Sequence, residues 1–324
     1  MLYHLRTKQP RQALKTYEES QKRGTLTSPF VQNILLSTHA RVSDFDSAKE
    51  VYKSLQRSGT QITAASLRSL FSSYLDVGKL EEARNLIFQH RKQYTERHYA
   101  MLQQKYALNA DSTAVREIME EMKQHGIEIT ITNYRILAQS YLQKYDVGGA
   151  VNVIREATKL NLPYDISIYN LFIRYYCLRD QVSHALTFLK SAKTDGVEYD
   201  CYTYKPLISY YGRKNFFDPV NVMVYWDQAV EQLGVADGEG LGKVAEHTVW
   251  TLVRGGDLER AKVVVGRVRE VEEASGEEEA GWSMEWEKTW DQLKNEGYGG
   301  DVAVLEAAWR GEDGGEGASS PVAY

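Results

Sequence analysis

Tyrosine recurs every 35 residues along two parallel tracks, Tyr99, Tyr134, Tyr169 and Tyr204 in one and Tyr106, Tyr141, Tyr176 and Tyr211 in the other. A spacing of this kind restricts the chain to a tandem array, in which each unit solves the same packing problem as its neighbours. Within a unit the two tyrosines stand two helical turns apart, with Leu102, Leu137, Phe172 and Leu207 between them on the same face. Each unit is therefore predicted to open with a helix.

A second set of anchors closes the unit. Small or branched residues stand at Ala13, Ala48, Ala83, Val115, Ala150 and Ala185, and after most of them, at a constant interval, comes Gly24, Gly59, Gly126, Asn161 or Gly196. Between anchor and stop the apolar residues keep helical spacing, as in Ala150, Val153, Ile154 and Ala157. Gly and Asn are the residues that enter the left-handed region at least cost, which suits them to the position after a helix. The one break in the period is a loss of about three residues near Tyr94, by the same alignment of repeats. A helix pair repeated at this interval predicts an all-α solenoid, stabilised by stacking of units and not by one central core.

Composition limits the function classes. The two cysteines, Cys177 and Cys201, form no CxxC pair, so neither a disulfide framework nor a zinc site is expected. No apolar stretch approaches the roughly 18 residues of a membrane span. The net charge of −5 conceals an uneven distribution. From Ala236 onward 9 basic residues face 20 acidic ones, leaving 30 basic against 24 acidic in the first 235 residues. A mildly basic array suits a polyanionic partner, and solvated charge on outer helix faces is the alternative reading.

The segments Val77-Gly78-Lys79-Leu80-Glu81-Glu82-Ala83, Ile118 to Gly126 and Ile168 to Ile173 resemble pentatricopeptide repeat proteins at matching places in a 35-residue unit. The tetratricopeptide alternative has a 34-residue unit with a W-x2-L-G-x2-Y opening and a late proline, and neither recurs here. The resemblance implies a right-handed superhelical solenoid of tandem helix-turn-helix repeats. In its register full units begin at Pro29, Ala64, Glu96, Ile131, Ile166 and Cys201, giving six repeats over residues 29–238. Residues 1–28 then supply part of an earlier repeat, with Ala13 and Gly24 in place. The basic opening from Met1 to Tyr17 reads as structural and not as a transit peptide, and an opening inside a repeat leads us to expect a truncated N-terminus.

Beyond Cys201 the pattern decays. Pro219 is expected to start a second helix. Residues 239–275 read as a degenerate repeat, since Gly256-Asp257-Leu258-Glu259-Arg260-Ala261 repeats the form of Gly78 to Ala83. Residues 276–310 read as capping helices that carry a stripe of Trp282, Trp286, Trp290 and Leu293. The Gly/Glu/Ser-rich end, residues 311–324, is expected to be disordered.

Motifs of catalysis are missing from the sequence. At Gly242-Lys243 the phosphate-loop places hold Asp237 and Val244, the seven histidines show no metal-ligand spacing, and no GxSxG elbow occurs. The expectation is a chain that is not an enzyme and takes no cofactor and no metal. The zinc signature of the deaminase domain that some pentatricopeptide proteins carry is also lacking.

The resemblance implies binding of single-stranded RNA along the array, one base per repeat, in processing, stability or translation of transcripts in an organelle, here the mitochondrial matrix. In the family the fifth residue of the first helix and the last residue of the unit choose the base. The corresponding pairs are Asn33 with Thr63, Ala100 with Thr130, Arg135 with Asp165, and Asn170 with Asp200; Arg68 and Lys205 hold the fifth place in the other units. Only Asn170 with Asp200 matches a common family pair, one associated with uracil. Arg135 and Arg213 are expected to meet phosphates. Because Ala100 cannot hydrogen-bond and the fifth-place cations offer no acceptor, a scaffold for protein partners, within a mitochondrial ribosome or assembly complex, is the second expectation.

Overall fold

The computed structural model describes residues 9–22, 28–163, 165–234, 237–275 and 282–310. The expected stop at Gly24, the acidic run at Glu277 to Glu279 and the segment 311–324 lie outside the described residues. Among those described there are seventeen α-helices, one short 3-10 turn and no strand. The chain divides into two compact units, residues 1–163 and 164–324.

In the first unit α1 (Pro10–Lys22) is followed by four helix pairs: α2 (Pro29–Arg41) with α3 (Phe45–Arg57), α4 (Ala64–Val77) with α5 (Leu80–Gln89), α6 (Glu96–Leu108) with α7 (Ser112–Gln124), and α8 (Ile131–Gln143) with α9 (Val147–Lys159). First helices pack on first helices, α2 on α4 and α6 on α8, and each also packs on its own second helix. The result is two helical layers. The anchors Ala13, Ala48, Ala83, Val115 and Ala150 are completely buried, as is Ala185 in the second unit. A larger side chain there would force the layers apart, which is the packing reason for small residues at this register.

The turn inside each pair is built around one residue in the left-handed region: Ser43 (φ 61°), Gly78 (φ 80°), Ala110 (φ 59°), Tyr145 (φ 65°) and, in the second unit, Asp180 (φ 59°). Side-chain-bearing residues accept a cost of about 1–2 kcal/mol at such a site, which the buried helix faces on either side offset. The stops after second helices are also left-handed, at Gly59, Gly126, Asn161 and Gly196. The shortened unit departs from this plan. Helix α5 ends at Gln89, a 3-10 turn spans Arg91–Gln93, and Tyr94 turns inward to donate from its hydroxyl to the Leu67 carbonyl at 3.1 Å.

The second unit holds α10 (Ile166–Cys177) with α11 (Val182–Thr194), α12 (Cys201–Tyr211) with α13 (Pro219–Leu233), α14 (Gly238–Gly255) with α15 (Leu258–Ser275), and α16 (Trp282–Asn295) with α17 (Gly299–Arg310). Pro219 occupies the first turn of α13, where its missing N–H breaks no helical bond. Helices α12 and α14 approach closely at Gly212, where an added Cβ would lie 1.9 Å from Cγ2 of Thr251. The core runs through all four pairs and includes Trp226, Trp286, Trp290 and Leu293. Trp286 and Trp290 stack with centroids 4.9 Å apart, so these members of the tryptophan stripe are packing residues; the side chain of Trp282 lies outside the described residues.

The buried tyrosines explain the period that first marked the sequence. Tyr99, Tyr134, Tyr169 and Tyr204 are all buried, and the hydroxyls of the last two reach the end of their unit's second helix, Tyr169 to Asp195 and Tyr204 to Gln232 at 2.7 Å. Tyrosine fits because its ring fills the interlayer space while its hydroxyl finds a polar partner at the rim. In the second track Tyr106 donates to Glu81 at 2.7 Å.

Candidate nucleic-acid interface

The last residue of each unit is also the cap of the next first helix. Thr63 accepts from the Ser66 N–H, Asp165 from the Ser167 N–H and Asp200 from the Thr203 N–H. At Thr130 the backbone N–H donates to Asn133 Oδ1 at 2.9 Å, and the threonine hydroxyl meets Glu96 and the same Asn133. Each cap satisfies an otherwise unbonded N–H of the first helical turn. The sequence carries the signal for this role, a Ser, Thr or Asp immediately before each predicted first helix, which the base-choice reading did not use.

The two asparagines at the fifth place are used differently. Asn33 is buried; its Nδ2 donates to the Pro29 and Gln61 carbonyls at 3.1 and 3.2 Å, and its Oδ1 accepts from the Thr63 N–H at 2.8 Å. Both N–H groups are spent, so the expectation that Asn33 and Thr63 face a base is corrected: the pair ties one repeat to the next cap. Asn170 donates to Asp200 Oδ1 at 2.8 Å, and its Oδ1 is buried without a hydrogen-bond partner among the described residues. One N–H of Asn170 stays unspent, whereas both of Asn33 are used.

Arg213 also departs from expectation. Its guanidinium donates to Asp180 and to the Cys177 carbonyl and lies over the rings of Tyr210 and Phe216. It is a clamp between consecutive turns of the second unit and not a free phosphate ligand.

The first helices of the first unit line two open grooves. One of about 520 Å³ is bordered by Arg41, Arg68, Asp76 and a row of serines. The other, of about 330 Å³, lies over Ala100 and is bordered by Arg97, Gln104, Lys105, Thr132 and Arg135. The charge of the two layers differs. Helices α2, α4, α6 and α8 carry five Arg or Lys against two carboxylates, whereas α3, α5, α7 and α9 carry eight against eight. Arg84 pairs with Glu117 and Glu121, Arg116 with Glu156 and Lys123 with Glu120, all on second helices. Arg41, Arg68, Arg97 and Lys105 make no ion pair among the described residues, so their charge is uncompensated.

In the second unit a groove of about 320 Å³ is lined by Lys205, Lys243, Glu246, His247, Trp250, Thr289 and Gln292. Ser209 Oγ lies 2.6 Å from His247 Nε2. Burial, reinforced by the Lys205 ammonium, pushes the imidazole down to about 4, so it is neutral in the folded protein at pH 7. The unfolded chain has the ordinary value near 6.5 and takes up the proton first as pH falls. Stability is therefore complete above about pH 6.5 and declines toward pH 4, by about 2–3 kcal/mol from this group. Thermal melts from pH 7 to 4 should show His247→Gln losing less stability than the parent; equal losses would remove His247 as the cause.

No group of residues suited to hold a metal and no helix long and apolar enough to cross a membrane occurs among the described residues. Residues 81–192 match the family model described as pentatricopeptide repeat-containing protein. No curated protein sequence matches the chain. Among solved structures, the pentatricopeptide repeat protein PPR10 in complex with an 18-nt psaJ RNA element is 16% identical with a TM-score of 0.44, covering 92% of this chain and 48% of that one. PPR10 from maize is 13% identical with a TM-score of 0.36, covering 95% of this chain and 56% of that one. The chain thus spans about half the length of the structures it matches.

Proposed function

We propose that the protein binds single-stranded RNA on the first-helix layer of residues 28–163, as a non-catalytic factor in the processing, stability or translation of mitochondrial transcripts. The observation that carries this reading is the charge split: the first helices bordering the grooves carry five Arg or Lys against two carboxylates, while the second helices carry eight against eight. An excess of cations over carboxylates on one face is an electrostatic footprint for a phosphate backbone. The groove over Ala100, with an apolar floor and a hydrogen-bonding rim, suits an unpaired base, whose edge and ring face are both accessible. The pentatricopeptide match of residues 81–192 accords with the RNA ligand class that the sequence resemblance implies, and the mitochondrial setting rests on that resemblance alone.

Crosslinking in the native extract followed by sequencing of the attached RNA tests the proposal. A small set of unpaired sites should be recovered. A scaffold role has one observation in its favour: Val77, Leu108 and Tyr145 are exposed apolar residues at successive turns. Recovery of protein neighbours with no RNA above background would establish that role instead.

A further inference from the structure

On a helix the fifth and ninth residues lie one turn apart on the same face. In the first unit their sizes are exchanged between neighbouring repeats: Arg68 stands with Ser72, whereas Ala100 stands with Gln104. The methyl group of Ala100 leaves the groove of about 330 Å³ open above it, and Gln104 borders that groove. Gln104 Nε2 donates to Oε1 of Gln139, the ninth residue of the following repeat, at 2.9 Å. This bond spends one N–H of Gln104. Its second N–H and its Oε1 have no partner among the described residues, so a fixed donor and acceptor remain beside an apolar floor of Leu75, Ala100 and Met101.

A single unpaired base requires that combination, an apolar surface for its ring and a donor and acceptor for its edge. We propose that Gln104 reads the edge of one RNA base held over Ala100, with Gln139 as the residue that positions its amide. The inference rests on the RNA-binding reading above and moves base choice in this repeat from the fifth place, where Ala100 offers nothing, to the ninth. Arg97 and Arg135 on the groove rim are placed for the flanking phosphates.

The test is selection of the purified full chain from a randomised single-stranded RNA pool at about 0.1 M salt, where phosphate contacts still hold the strand. The parent should select one base at the position read by Gln104. Gln104→Leu should flatten that preference by about tenfold in relative affinity, a change of 1.4 kcal/mol, with total retention within about twofold and an unchanged melting temperature. Gln104→Glu replaces a donor–acceptor pair by acceptors alone and should change the preferred base, an outcome that a purely structural glutamine would not produce. Gln139→Leu should weaken the preference, and Gln139→Glu should restore it, because a carboxylate still accepts from Gln104 Nε2. A preference that survives Gln104→Leu, or a parent that retains RNA with no preferred base at all, overturns this inference and leaves RNA binding standing. A parent that retains no RNA overturns both.

Discussion

Replacing Arg68, Arg97 and Lys105 together by glutamine should weaken binding to single-stranded RNA on the order of 100-fold at about 0.1 M monovalent salt. Each phosphate contact on a single strand contributes about 0.7 to the slope of log affinity against log salt, so three lost contacts lower that slope by about 2. Arg68 and Arg97 are exposed and Lys105 is half-buried, and none of the three is in an ion pair, so the variant should fold as the parent does. The loss should be uniform across sequences, because phosphates carry no base identity. Titrations at several salt concentrations give the slope directly. A slope unchanged in the triple variant would mean that the basic layer does not meet the strand.

The second large effect is on stability. Trp226 is 1% exposed and packs in the core that joins all four helix pairs of residues 164–324. Trp226→Ala should cost about 3–5 kcal/mol, the transfer energy of the indole together with the cavity it leaves. In a repeat array that loss is felt mainly by adjoining repeats, so urea unfolding should separate an early transition from the remainder. Tyr202→Ala is the control: Tyr202 is 59% exposed, and its removal should change stability by less than about 0.5 kcal/mol. A Trp226→Ala loss below about 1 kcal/mol would contradict the packing described.

Repeat period, helix order and the all-α class were legible because one packing solution recurs and each recurrence repeats its residues. The tyrosines at Tyr99, Tyr134, Tyr169 and Tyr204 and the alanine anchors announce the interlayer core before any coordinates are known. The interface was less legible for a physical reason. Asn33 and Asn170 hold the same place in the register, yet one amide is consumed by the Gln61 and Pro29 carbonyls and the other keeps capacity to spare. That difference depends on backbone placement around 61–63, which no residue type records. Arg213 is engaged by Asp180 and the Cys177 carbonyl, a pairing set by how consecutive turns meet in space and recorded by no residue type. The charge split between layers was present in the sequence but appears only when acids and bases are counted helix by helix.

The neutral second-helix layer and the positive first-helix layer make residues 28–163 electrically two-sided. At about 0.1 M salt the field of such a layer extends roughly 10 Å, far enough to turn an approaching polyanion before any contact forms. A strand arriving from the neutral side meets no attraction, whereas one arriving from the other side is drawn in along the groove. Orientation is therefore selected during approach. Dilution of salt should raise the capture rate more than it lowers the release rate, and swapping the charges of the two layers at constant net charge should abolish that acceleration.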